Sequence, residues 1–123
     1  MRPATVLGIV MAVALLLNVF IGEARFAWTL LPVHIGFGVV AFGASVAYTV
    51  VSRGFRPGLA LGLLLTVLTG VQGALGLAMV FGTHGQLIES FHRWNGNASF
   101  LIGLVGGILV GRLYRRKAAS SGQ

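Results

Sequence analysis

Long apolar runs broken at intervals by arginine set the pattern of this chain. Residues 4–22, 26–52, 57–86 and 94–111 contain no Asp, Glu, Lys or Arg, over 19, 27, 30 and 18 residues. A helix that crosses the hydrocarbon core of a bilayer needs about 20 mostly apolar residues. The pattern therefore predicts four membrane-spanning helices, near residues 4–21, 28–51, 59–81 and 87–113. The breaks between them predict short connections, among them a tight turn over 52–58, Ser-Arg-Gly-Phe-Arg-Pro-Gly. Residues 1–117 read as a single domain, and the small polar stretch 118–123 reads as a flexible tail. Gly22, Glu23 and Ala24 give the first helix the small-residue ending of a cleaved leader. The apolar run before them exceeds the 7–15 residues of a leader core, so the first helix is read as a retained anchor. The expected fold is all-α and integral to the membrane, a four-transmembrane-helix up-down bundle.

Composition strengthens this picture. Of 123 residues, 56% are hydrophobic and 9% charged, whereas a soluble domain carries roughly 25% charged residues. Mean hydropathy is +0.91. So few polar side chains cannot coat a water-soluble particle, which makes the lipid bilayer the expected surrounding. The chain has no cysteine, which excludes a disulfide framework, a zinc finger, a cysteine-ligated iron–sulfur cluster and a covalently attached c-type haem. Its 19 glycines suit close approach of helix backbones in lipid. Gly58 with Gly62 and Gly107 with Gly111 form small-xxx-small pairs, and Gly70, Gly73 and Gly76 line one side of the third helix.

The formal net charge of +7 raises nucleic-acid binding, and the placement of the charges removes it. With both termini cytoplasmic, that side holds Arg2, Arg53, Arg56, Arg112, Arg115, Arg116 and Lys117 and no acid. The other side holds Arg25 and Arg93 against Glu23 and Glu89. Such a bias is the positive-inside rule and accounts for the whole net charge. The expected location is the plasma (inner) membrane of a prokaryote, with no nucleic-acid partner.

Ionisable side chains inside a span are costly and mark function. His34 lies 18 residues before Ser52 on the second helix, and His92 lies 20 before Arg112 on the fourth. At 1.5 Å per residue these are about 27 and 30 Å from the cytoplasmic boundary, the same depth near the outer edge of the hydrocarbon. Each histidine is followed along its face by small residues: Gly38, Ala41 and Ser45 after His34, and Gly96, Ser99 and Gly103 after His92. The shared pattern H-x3-G-x2-[AS]-F, offset by 58 residues, makes the protein read as two similar helical hairpins. Two histidines at one level, each above a face without bulk, suit a flat metal macrocycle clamped between them. Imidazole is a standard axial ligand of haem iron. His34 and His92 are thus the candidate axial ligands, with Gly38 and Gly96 making room. Arg93 and Arg25 are candidate partners for haem propionates, although plain interfacial snorkelling explains them nearly as well. His84 falls in the outer loop and reads as a solvated histidine.

The third helix carries Gln72-Gly73-Ala74-Leu75-Gly76-Leu77-Ala78-Met79-Val80, and the fourth opens Glu89-Ser90-Phe91-His92-Arg93. These stretches resemble the haem A synthase family, with its Q-G-x-L-G-x-x-M-V-like helix and its E-x-x-H-R motif. The resemblance covers about helices two to four and implies one half of a protein built from two fused four-helix bundles. It implies that His34 and His92 form the axial pair, with haem toward the outer side, and that Glu89 is the acidic residue, catalytic if the chain is a synthase. This chain departs from the family in three ways. Its E-x-x-H-R motif opens the fourth helix rather than the second, Leu31 stands where an acid would precede His34, and the loop 22–27 lacks a cysteine pair.

Three functions follow as expectations. The first is a b-type cytochrome with bis-histidine haem b, passing electrons as a small subunit of a respiratory complex. The second is a half-size haem A synthase, working on haem O as a homo-oligomer. The third is a haem-free structural or assembly subunit. Whether the chain is an enzyme stays open between them. A transporter is disfavoured, since no acid lies deep in a span and Asn18, Thr66 and Gln72 are too few to build a path.

Overall fold

A computed structural model describes residues 3–23 and 28–120. Among the described residues there is no strand. Four helices make up the protein: α1 (Pro3–Glu23), α2 (Leu31–Val51), α3 (Arg56–Val80) and α4 (Gln86–Ser120). All four are long and apolar enough to cross a membrane, as the hydropathy pattern predicts. The ends follow local chemistry. Pro32 and Pro57 stand in the first turns of α2 and α3, where a missing N–H breaks no helical bond. A 3-10 turn at Trp28–Leu30 leads into α2, so the expected span 28–51 is α-helical only from Leu31. α3 stops at Gly82, whose φ of 93° is readily adopted by glycine. The N–H groups of Gly82 and Thr83 turn back to the carbonyls of Met79 (3.1 Å) and Ala78 (2.9 Å), which satisfies the open end of the helix.

The expected tight turn is present. Ser52 N–H donates to Tyr48 O at 3.0 Å and Phe55 N–H to Ser52 O at 2.9 Å, reversing the chain between α2 and α3. Phe55 then meets Tyr114 edge-on at 5.4 Å between ring centres, and Lys117 Nζ lies 5.9 Å from the Phe55 ring centre. These contacts tie the end of α4 to the turn, so Arg53, Arg56 and the basic run 112–117 share one end of the bundle. α4 has 35 residues, about 52 Å at 1.5 Å per residue, and outruns a hydrocarbon core of about 30 Å. It continues through 118–120, the start of the stretch read as a tail; residues 121–123 lie outside the described ones.

Around the bundle the order is α1, α2, α3, α4, with α4 closing on α1. Side chains are distributed inside out relative to a soluble bundle. Val39 (66%), Phe20 (65%) and Val67 (62%) are exposed, while Ser45 and Ser99 are completely buried (0%). The interior is thin, built from Met11, Ala14 and Leu15 of α1, Ala41, Ala44 and Tyr48 of α2, and Leu61 and Leu65 of α3. Hydroxyls bridge α2 and α3. Thr66 Oγ1 donates to Ser45 Oγ at 3.3 Å, Ser45 and Thr69 hydroxyls lie 3.3 Å apart, and Thr49 and Thr66 hydroxyls also 3.3 Å. With an interior this thin, close packing and these polar bridges hold the helices together.

Gly62 is the tightest such approach to a neighbouring backbone. A Cβ there would stand 2.6 Å from Thr49 Oγ1 and 2.9 Å from Thr49 Cα. Gly107 has nothing within 4 Å, so the pair with Gly111 is not a helix contact within this chain. Gly62→Ala is expected to force α2 and α3 apart at a cost of about 1–3 kcal/mol. Gly107→Ala should be neutral or gain up to about 1 kcal/mol of helix propensity. Thermal unfolding in detergent, followed by circular dichroism, reads the difference.

Candidate functional site

The two candidate ligands lie on α2 and α4, which are diagonal in the ring of helices. His34 sits in the first turn of α2 and His92 in the second turn of α4. Their rings face each other across the bundle, centres 6.0 Å apart and planes inclined by 56°. Both are half-buried, and both Nδ1 atoms are buried without a hydrogen-bond partner. The matched depth expected from helical rise thus brings the two side chains together.

That spacing can be tested against metal ligation. A metal–imidazole bond measures about 2.0–2.1 Å; two in line, with about 1.1 Å from each nitrogen to its ring centre, put the centres about 6.3 Å apart. The observed 6.0 Å is close to this. An inclination between planes is compatible with it, because each ring plane need only contain its own bond to the metal. No group of three or more His, Cys, Asp or Glu that could hold a bare ion occurs among the described residues. The donor set is two imidazoles, which suits a metal whose other ligands come from a macrocycle.

Four glycines surround the pair. A Cβ at Gly76 would lie 3.1 Å from His92 Cε1, and one at Gly22 would lie 3.4 Å from His34 Cε1. These two make room for the imidazoles themselves. Gly38 and Gly96, expected to open space below the histidines, receive amide side chains instead. Their Cβ positions lie 3.2 Å from Asn18 Nδ2 and 3.0 Å from Gln72 Nε2. The sequence repeat therefore corresponds to a repeated device: an amide on the first helix of each hairpin seats against the glycine four residues after the histidine. The hairpins differ in reach. Asn18 Nδ2 donates to the backbone oxygen of His34 at 3.3 Å, whereas Gln72 Nε2 is 3.1 Å from the ring nitrogen Nε2 of His92. Gln72 is in turn bonded to Asn95, whose Nδ2 donates to Gln72 Oε1 at 2.9 Å and to Leu68 O at 2.8 Å.

An ion pair joins two helices at this end. Arg93 grips Glu23 with two bonds, Nε to Oε1 and Nη2 to Oε2, each 2.7 Å. Asn97 Nδ2 adds a third at 3.2 Å. Arg93, expected as a cation for propionates, thus links α4 to α1. Arg25 lies outside the described residues. Glu89 is exposed in the first turn of α4 and forms no hydrogen bond to either histidine among the described residues. His84 is exposed in the connection between α3 and α4, as expected of a solvated histidine. The residues whose role here the sequence did not reveal are Asn18, Gln72, Asn95 and Asn97. An amide within an apolar span is itself a signal, but its partner lies on another helix and leaves no local pattern.

Comparison with protein-family models, with curated proteins and with solved structures finds no match. The functional reading rests on the residues themselves.

Proposed function

We propose that this chain is a b-type cytochrome of a prokaryotic plasma membrane. Four helices cross the bilayer with both termini cytoplasmic, and His34 and His92 hold one haem b toward the outer face for electron transfer, as a small subunit of a respiratory complex. The observation that carries the reading is the 6.0 Å spacing of two half-buried imidazoles on diagonal helices. A bound haem supplies reversible one-electron exchange at a potential set by its ligands and surroundings. Ligation by both imidazoles would leave the iron no open site for oxygen, which favours electron transfer over oxygen activation. Gly22 and Gly76 let the two rings lie close against α1 and α3. Arg93, with guanidinium N–H groups beyond the two that bind Glu23, and Arg25 are the candidate cations for carboxylates of the group. Orientation is supported by the collection of Arg53, Arg56, Arg112, Arg115, Arg116 and Lys117 at the end away from the histidines.

A second reading draws on the E-x-x-H-R stretch. A half-size haem A synthase, acting as a homo-oligomer, would oxidise the methyl group of haem O with Glu89 handling a proton. The exposed position of Glu89, three residues before His92, suits exchange with bulk water.

A reduced-minus-oxidised spectrum with a pyridine haemochrome should show low-spin bands and about one haem per chain. His34→Ala and His92→Ala should each abolish stable haem retention, while Arg53→Ala should not. Normal spectra in both histidine variants would overturn the assignment, and a haem-free wild type would leave a structural subunit. Glu89→Gln should leave a pure electron carrier nearly intact and cripple a synthase. Topology has its own test, since a chain without cysteine permits clean single-cysteine labelling. In intact cells Thr83→Cys should react with a membrane-impermeant maleimide and Ser120→Cys should not; the opposite result would invert the orientation.

A further inference from the structure

The hydrogen bonds that reach His92 have a polarity fixed at one end. The carbonyl oxygen of Leu68 can only accept, so Asn95 must turn its amide nitrogen toward it, at 2.8 Å. The second hydrogen of that nitrogen points to Gln72 at 2.9 Å, which must therefore present Oε1. Gln72 Nε2, carrying two hydrogens, then faces His92 Nε2 at 3.1 Å. A donor opposite a ring nitrogen requires a lone pair there. The neutral imidazole of His92 consequently carries its proton on Nδ1, the atom that is buried without a partner. Turning any amide in the chain over would set two donors or two acceptors face to face.

We propose that Leu68 O, Asn95 and Gln72 form a tautomer lock that keeps Nε2 of His92 unprotonated, the form in which this ring would ligate a metal, with Gln72 donating to that lone pair. This rests on the reading of His92 as an axial ligand. Ligating histidines are ordinarily oriented by an acceptor on the opposite nitrogen. Here no acceptor meets Nδ1–H, so nothing on that side keeps the proton from Nε2, and the donor at Nε2 does so instead. The arrangement is specific to one ring. Asn18, the corresponding amide of the first hairpin, bonds only to the backbone of His34 and leaves that ring's tautomer unset. Gln72 and Asn95 are positioning residues, since they act through His92 rather than on a substrate.

The test is the nitrogen spectrum of the full chain in detergent, haem-free, with 15N-labelled histidine at a pH where the imidazoles are neutral. His84→Gln and His34→Gln variants assign the three residues. In the wild type the Nδ1–H form of His92 should exceed the Nε2–H form by about tenfold, the worth of one hydrogen bond. Gln72→Met removes the donor while keeping chain length, and should bring the two forms to about parity or reverse them. The His34 signals should stay as they were. A wild-type His92 that is already Nε2–H, or a Gln72→Met spectrum identical to wild type, would overturn the lock. If Gln72→Met does not fold, the wild-type spectrum alone decides. Titration of the same wild-type sample with haemin tests the underlying reading separately. Nδ1–H without haem uptake would leave the lock standing and remove its use, and haem uptake with Nε2–H would do the reverse.

Discussion

Helices in lipid gain nothing from hiding apolar side chains, since lipid is as apolar as they are, so their association depends on how closely the backbones can approach. In this bundle that approach runs through small residues. Gly62 lies against the backbone of Thr49, and Gly38 and Gly96 lie against Asn18 and Gln72. The completely buried Ser45 and Ser99 continue the same faces inward. With the interior this thin, two side chains on diagonal helices can meet across it. The 6.0 Å between the His34 and His92 rings is thus a consequence of backbone spacing. Bulk at the glycines or serines would widen the bundle and separate the pair.

The glycines at the histidine level do more than admit close helices. Each supplies a notch for an amide, and the amide carries directional hydrogen bonds into a region without water. An unpaired amide there would be costly, so each one is committed to a partner. Asn18 is one methylene shorter than Gln72 and stops at the His34 backbone, while Gln72 reaches the His92 imidazole. One helical pattern used twice thereby gives the two histidines different neighbours. Gln72 meets the His92 ring at Nε2, whereas Asn18 meets only the backbone of His34.

Much of this was legible in the sequence. Uncharged runs fixed the four helices because the length of a span is set by bilayer thickness. Helical rise placed His34 and His92 at one depth because rise per residue is nearly constant. The repeat H-x3-G-x2-[AS]-F marked the faces that turn inward, and Ala41 and Ser99 are indeed buried to 1% and 0%. What the glycines make room for was not legible. Spacing along one helix reports that a face is small, and only the neighbouring helix decides what fills the space. The same limit hid the bonds from Arg93 to Glu23 and from Asn95 to Gln72, which span 70 and 23 residues. Gly107 and Gly111 match the spacing of Gly58 and Gly62, yet they face no side chain of this chain within 4 Å.

The seam between α1 and α4 is closed at the histidine end and open at the other. This seam joins the first and last helices, with no short connection to hold it. At the basic end it opens into a cleft of about 1220 Å³, lined by Gly8 and Met11 of α1, Gly103 and Gly107 of α4, and Tyr48 of α2. At the other end Glu23 closes it, bonded twice to Arg93 and once to Asn97. Arg93 directly follows His92 in the chain, so the clasp that draws α4 onto α1 also fixes the turn that carries His92. Exposed charge pairs add little to stability where water screens them. The importance of this one is therefore geometric, since it closes the bundle at the level where the two imidazoles face each other.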